Sequence, residues 1–129
     1  MTELTTPTGL AHFTYDREHH LLHAAFRGTI KAADMQNACD DMVKLTETYL
    51  VDRLLVDTSC ADPSYQIEDI IEILETAFER VNIARLALFT GDRPAPVHFS
   101  ALESICFPLA IRLRHFNNLE NARTWLTGS

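Results

Sequence analysis

The side chains with the greatest chemical capacity follow the central apolar run of the chain. Asp57, Thr58 and Ser59 come directly after that run, and Ser64 lies a short distance further on. A serine hydroxyl here could accept a phosphate, because the N-terminus of a following helix favours added negative charge. The same residue types also bond to free backbone N–H groups in turns and helix caps. Capping is the favoured interpretation, and Ser64 is the candidate phospho-acceptor. The acidic neighbours that would repel a phosphate are Asp62, Glu68, Asp69 and Glu72.

The six histidines raise the question of a metal site. Alternation around residues 16–19 predicts a β-hairpin that places His12 and His23 as cross-strand neighbours on its exposed face. Zinc needs three or four ligands in near-tetrahedral geometry, and two exposed imidazoles supply only part of this set. We therefore expect no metal site, with His12 and His23 as a weak and incidental candidate pair.

The case for an enzyme depends on Cys60 or Ser59 as a nucleophile. A nucleophile needs a base within hydrogen-bond reach, and His98 could approach Cys60 across the edge of a sheet. The sequence has no Gly-x-Ser-x-Gly elbow and no glycine-rich phosphate loop. The sequence therefore predicts no catalytic residue and no cofactor, and a hydrolase remains the weakest alternative.

Composition limits the classes of partner. The 129 residues carry a net charge of -7, which disfavours both nucleic acid and an anionic membrane surface. No apolar stretch approaches the roughly 20 residues that span a bilayer, so we expect no membrane insertion. Residues 1–10 are predicted to form a flexible leader without signal-peptide features. We expect one domain over residues 11–129 in a cytoplasmic protein.

Two apolar runs joined by an amphipathic stretch form the predicted centre of the fold. Residues 53–57 and 83–89 indicate buried strands. Between them, apolar residues recur at helical spacing, which predicts a βαβ unit with parallel strands. Asp62 is the expected N-cap of this helix, with Pro63 in its first turn. The helical stripe comprises Ile67, Ile70, Ile71, Leu74, Phe78 and Val81.

The flanking segments complete an α/β domain. The hairpin precedes a helix over residues 31–49, with Gly28 ending its second strand. After the second buried strand we expect a helix over residues 97–109 and an edge strand over residues 111–116. A final short helix follows, capped by Asn117 or Asn118, with a buried face of Leu119, Ala122, Trp125 and Leu126. The order β-β-α-β-α-β-α-β-α predicts a mainly parallel five-stranded sheet with its first strand antiparallel.

Several short motifs follow one another along the chain in a fixed order. They are Phe26-Arg-Gly28, Asp34 in the next helix, Leu54-Leu-Val-Asp57, Leu86-Ala-Leu-Phe89 and the segment from Leu113 to Leu126. In order and spacing, over about residues 11–127, the chain resembles the STAS/SpoIIAA-like family. That family is named after anti-sigma-factor antagonists and the cytoplasmic tails of sulfate transporters.

The resemblance implies a SpoIIAA-like fold and a non-enzymatic switch or ligand-binding module. Antagonists of the family carry an Asp-Ser-Ser-Gly turn that is phosphorylated on serine, whereas this chain has Asp62-Pro-Ser-Tyr65 there. That difference argues against phospho-regulation and favours the branch of stand-alone bacterial proteins.

The leading functional hypothesis is a regulatory or interaction module that acts by protein–protein contact, with another protein or as a homodimer. Sites of open parallel sheets lie beyond the carboxyl ends of the strands. The predicted contact residues there are Asp57, Thr58, Ser59, Ser64 and Tyr65. Tyr65 lies outside the helical stripe, so we expect it to be partly exposed.

A second hypothesis is a binding protein for a small apolar ligand or lipid. The ligand would lie in a cleft between the second and third helices and the sheet. Phe99, Phe107 and Pro108 motivate this hypothesis, because they add apolar surface that the stripe of the third helix does not need.

Overall fold

The computed structural model describes residues 2–4 and 11–128, and within them it has one sheet and four α-helices. The strands are β1 (Thr2–Leu4), β2 (Ala11–Asp16), β3 (Leu21–Ile30), β4 (Arg53–Pro63), β5 (Arg85–Phe89) and β6 (Arg112–Phe116). The α-helices are α1 (Ala32–Thr48), α2 (Ile67–Glu79), α3 (Phe99–Cys106) and α4 (Leu119–Thr127), and a short 3-10 helix (Phe107–Leu109) follows α3.

The six strands lie in the sheet in chain order. The pairs β1–β2 and β2–β3 are antiparallel, and the three remaining pairs are parallel. The predicted class is confirmed, but the sheet has six strands rather than five. The prediction of a flexible leader is wrong for residues 2–4, because they pair with β2 and Leu4 is buried. Met1 and residues 5–10 lie outside the described residues.

The predicted βαβ centre is confirmed. Leu54 of β4 pairs with Leu86 of β5 in parallel register. Ile70, Leu74 and Phe78 of α2 are all buried, as their helical spacing requires. The hairpin is also confirmed, since the residues predicted for its inner face are buried. They are Phe13, Tyr15, Leu22, Ala24 and Phe26.

The predicted end of β4 is wrong, and this changes the arrangement of the candidate site. β3 continues past Gly28 to Ile30, and its last four residues pair with Cys60 to Pro63 of β4. A register shift between Ala25 and Arg27 allows both strands to continue. Pro63 therefore ends a strand instead of starting α2.

The helix caps also differ from the predictions in part. Gln66, not Asp62, is the N-cap residue of α2, and the Asp69 carboxylate accepts from its backbone N–H. At α4 the Asn118 side chain accepts from the backbone N–H of Asn121, which confirms one of the two predicted caps. Leu119 is 37% exposed, so it does not belong to the buried face of α4.

Helices cover the two faces of the sheet unequally. The larger hydrophobic cluster joins one face to residues of α1, α2 and α3. The smaller cluster lies under α4 on the opposite face and contains Leu21, Leu55, Ala87, Ala122 and Leu126. The described part of the fold therefore has a thick core on one side of the sheet and a thin one on the other.

Candidate functional site

The predicted contact residues point to opposite faces of the sheet because the first three belong to a strand. Side chains alternate along β4. Thr58 lies on the face covered by α1, α2 and α3, where it lines an apolar cavity. Asp57 and Ser59 face the α4 side. Tyr65 lies in the link from β4 to α2 and also lines the cavity.

The apolar cavity has a volume of about 160 Å³. It lies between the sheet and α1, α2 and α3. The sheet contributes Phe13, Ala24, Phe26, Ile30, Leu54, Val56, Thr58, Ala61, Pro63, Leu86, Leu88 and Leu113. The helices and links contribute Met35, Ala38, Cys39, Met42, Tyr65, Ile70, Leu74, Phe78, Pro96, His98, Leu102 and Cys106. Apolar side chains thus form almost the entire wall.

The polar residues of the cavity are partly exposed, unlike the buried side chains of its floor. Thr58, Tyr65 and His98 are all half-buried and lie towards the carboxyl edge of the sheet. The Thr58 hydroxyl has only a long contact of 3.5 Å to the Phe89 carbonyl oxygen. Burial raises the pKa of Tyr65, so its phenol stays protonated. We call these three residues the polar mouth.

A hydrogen-bonded loop over residues 90–96 supports the same edge. The Asn117 side-chain amide donates to the carbonyl oxygens of Gly91 and Arg93, at 2.7 and 2.6 Å. The Arg93 guanidinium donates to the carbonyl oxygen of Ala61 on β4. The Thr90 hydroxyl lies 2.6 Å from His115 Nε2. These bonds fix the loop that leads into Pro96 and His98.

Two buried thiols in the cavity wall are poor nucleophiles. Burial, with a smaller effect from Asp40, raises the pKa of Cys39 to about 12. Burial raises the pKa of Cys106 to about 11. Because the thiolate is the nucleophilic form, both side chains act as small hydrophobes.

A separate polar group occupies the α4 side of the sheet. Asp57 Oδ1 accepts from the Ser59 hydroxyl at 2.6 Å and from the Ser59 backbone N–H at 2.9 Å. His23 Nε2 lies 4.0 Å from Asp57 Oδ2, which is too long for a hydrogen bond. Burial lowers the pKa of His23 although Asp57 opposes that change. This group stabilises the middle of β4, and the Ser59 hydroxyl in it donates to the Asp57 carboxylate rather than to an imidazole.

The remaining nucleophile and metal candidates do not come together. Cys60 is exposed and does not line the cavity to which His98 contributes. His12 and His23 share a sheet face, but His12 is paired with Ala25 and His23 with Thr14. They are therefore diagonal rather than directly opposed neighbours.

One other cluster has potential metal-ligand atoms, at the tip of the β2–β3 hairpin. Asp16, Glu18 and His19 bring such atoms close together within the described residues. Asp16 Oδ1 accepts from the backbone N–H groups of Glu18 and His19, and Oδ2 lies 2.7 Å from His19 Nδ1. These bonds are typical of an Asx turn and account for the cluster without an ion.

The hypothesis of a small apolar ligand predicted part of the cavity wall. The sheet, α2 and α3 do form walls, but α1 supplies a third helical wall that was not predicted. Met35 and Met42 at helical spacing were the available signal, since methionine fills irregular apolar gaps. The residues that motivated the hypothesis lie elsewhere: Phe99 contacts the ring of His115, and Phe107 is 86% exposed. Pro108 is also exposed and does not line the cavity.

Comparisons with known proteins identify the fold. No family model and no curated protein matches the chain. An uncharacterised protein from the DUF3478 family with a SpoIIAA-like fold, from Shewanella loihica PV-4, is 16% identical with a TM-score of 0.58, covering 95% of this chain and 98% of that one. The anti-sigma factor antagonist SpoIIAA in its unphosphorylated form is 10% identical with a TM-score of 0.59, covering 92% of this chain and 99% of that one. The chain has a SpoIIAA-like fold, as its resemblance to the STAS/SpoIIAA-like family implied.

Across residues 2–4 and 11–128, none of the helices is long and apolar enough to cross a membrane.

Proposed function

We propose that the protein is a non-enzymatic binding module of the STAS-like type that holds a small apolar molecule. The observation that carries this proposal is the apolar cavity beneath α1, α2 and α3, with its polar mouth at the carboxyl edge. Ligand sites in proteins are mostly apolar with a few polar groups that fix orientation. In open α/β sheets they lie beyond the carboxyl ends of the strands.

The free energy of transfer from water favours binding of an apolar molecule in the cavity. Almost all of the cavity wall is apolar, and removing apolar surface from water contributes about 25 cal/mol per Å². A bound apolar molecule would remove that surface from water and gain contacts with the cavity wall, and it would stabilise the folded chain by mass action.

Native mass spectrometry of protein purified from its own host tests the proposal. The wild-type chain should retain an additional small mass that disappears on denaturation. Ala38→Leu is the matched control, because Ala38 is 3% exposed, lines the cavity, and becomes a side chain that fills it. If each protein shows only the mass of its own bare chain, the result would count against a resident ligand.

A second candidate function is regulation by protein–protein contact, with a partner protein or as a homodimer. Asp62, Pro63 and Ser64 form an exposed segment at the end of β4. The solved structure with TM-score 0.59 belongs to an anti-sigma factor antagonist, which supports a regulatory role for this fold. The two functions are compatible, because Pro63 also lines the cavity.

Added charge tests the contact function. Ser64→Asp should weaken self-association measured by sedimentation, because a new carboxylate beside Asp62 adds like-charge repulsion. Thr76→Asp is the control, since Thr76 is exposed on α2 and receives the same charge elsewhere. If both variants weaken self-association equally, or if neither variant changes it, the result would argue against a contact at this segment.

A further inference from the structure

The three residues of the polar mouth have hydrogen-bonding capacity that the protein leaves unused. Within the described part of the chain, the Tyr65 hydroxyl and the His98 imidazole have no hydrogen-bond partner, and the Thr58 hydroxyl has only its 3.5 Å contact. All three line the same cavity. Half-buried polar groups without partners lose free energy unless water or a ligand bonds to them.

Charge restricts what can bond to this mouth. The described residues that line the cavity include no Lys, Arg, Asp or Glu. A carboxylate or ammonium group at the half-buried mouth would lose part of its hydration without gaining an opposite charge from the residues that line the cavity, which is unfavourable. The cavity therefore selects a ligand that is neutral where it enters.

Size restricts the rest of the ligand. The volume of about 160 Å³ is close to that of an engineered apolar cavity of about 150 Å³ in another protein, which binds benzene. A long acyl chain would not fit within this volume. The floor is formed by fully apolar side chains such as Leu54 and Ile70, which offer no second polar anchor.

We infer that the ligand is a neutral molecule of about the size of one six-membered ring, with a single hydroxyl or carbonyl group at one end. The ring lies against the apolar floor, and the polar end bonds to Tyr65, Thr58 and His98 at the mouth. This inference rests on the proposed function, and it excludes lipids and ionised acids from the class of ligands.

Calorimetric titration with four probes tests the inference. The probes are toluene, phenol, benzoate and 1-dodecanol, each titrated into the wild-type protein, Tyr65→Phe and Ala38→Leu. Tyr65→Phe keeps the ring and removes the hydroxyl, so it should lower the ratio of phenol affinity to toluene affinity about fivefold, because one neutral hydrogen bond contributes about 1 kcal/mol. Ala38→Leu should weaken the binding of both probes. Benzoate and 1-dodecanol should bind most weakly.

The outcomes separate this inference from the proposed function. A ratio of phenol to toluene affinity that Tyr65→Phe leaves unchanged, or tighter binding of benzoate or 1-dodecanol than of phenol, would overturn the inferred ligand class and leave an apolar binding site in place. Absence of binding by every probe would overturn both. Circular dichroism checks that each variant folds, and Ala24→Leu, at another buried alanine of the cavity, replaces Ala38→Leu if that variant does not.

Discussion

At the scale of single residues, side-chain alternation along β4 places Thr58 on one face of the sheet and Asp57 and Ser59 on the other. Thr58 faces the cavity, whereas Asp57 and Ser59 bond to each other on the α4 side. A ligand or partner that reached Thr58 and Tyr65 would not touch Asp57. Of the five contact residues predicted from sequence, the proposed site therefore includes only Thr58 and Tyr65, and it adds His98.

The half-buried imidazole of His23 should make stability depend on pH. Burial lowers its pKa below the ordinary histidine value of about 6.5, so the unfolded chain takes up a proton that the folded chain resists. The free energy of unfolding should then fall as pH decreases below about 6.5. Urea unfolding at several pH values should show this loss in wild type and less of it in His23→Gln. His12→Gln is the control, because the His12 side chain is 50% exposed on the same face; an identical pH dependence in all three proteins would contradict the assignment.

Gly91 should tolerate alanine poorly. It adopts φ of 65°, and an added Cβ would lie 3.1 Å from the Cβ of Ser59. The left-handed conformation alone costs a non-glycine residue about 1–2 kcal/mol. Gly28→Ala is a matched control, because Gly28 has φ of 75° with nothing within 4 Å of the added atom. Chemical denaturation should show a larger loss for Gly91→Ala, and an equal loss would mean that the contact with Ser59 adds nothing.

At the scale of elements, α2 is the helix whose placement is most easily tested. Leu74 is 7% exposed and lines the cavity. Leu74→Ala should lower the free energy of unfolding by about 2–5 kcal/mol, through lost burial and an enlarged void. Glu75→Ala, one position along on the exposed face, should change it by less than about 0.5 kcal/mol. A loss below about 1 kcal/mol for Leu74→Ala would be inconsistent with the position of α2.

Most elements could be predicted from sequence because their apolar periodicity is strong. The stripe through Ile70, Leu74 and Phe78 identified α2, and alternation identified the β2–β3 hairpin. The extension of β4 could not be predicted, since Gly28 and Pro63 are residues that usually interrupt strands. Pairing between the ends of β3 and β4 outweighs those local preferences, and only the folded chain shows that pairing.

At the scale of the whole molecule, the cavity is a product of several elements and has no local sequence signature. Its wall combines the sheet with three helices that are distant in sequence. The sequence predicted an apolar site on this side of the sheet, but it did so from Phe99 and Phe107, which lie outside the wall. A cavity of this kind reflects how closely helices approach the sheet, and residue patterns do not encode that distance directly.

The most direct test of the account is methyl NMR of the protein titrated with toluene. The account predicts saturable shifts for the methyl groups of Leu54, Leu86 and Leu102, which line the cavity. The methyl groups of Leu21, Leu55 and Leu126 belong to the cluster under α4 and should not move. Unchanged signals from the cavity leucines, or shifts confined to the 68% exposed Leu50, would contradict an apolar binding site beneath α1, α2 and α3.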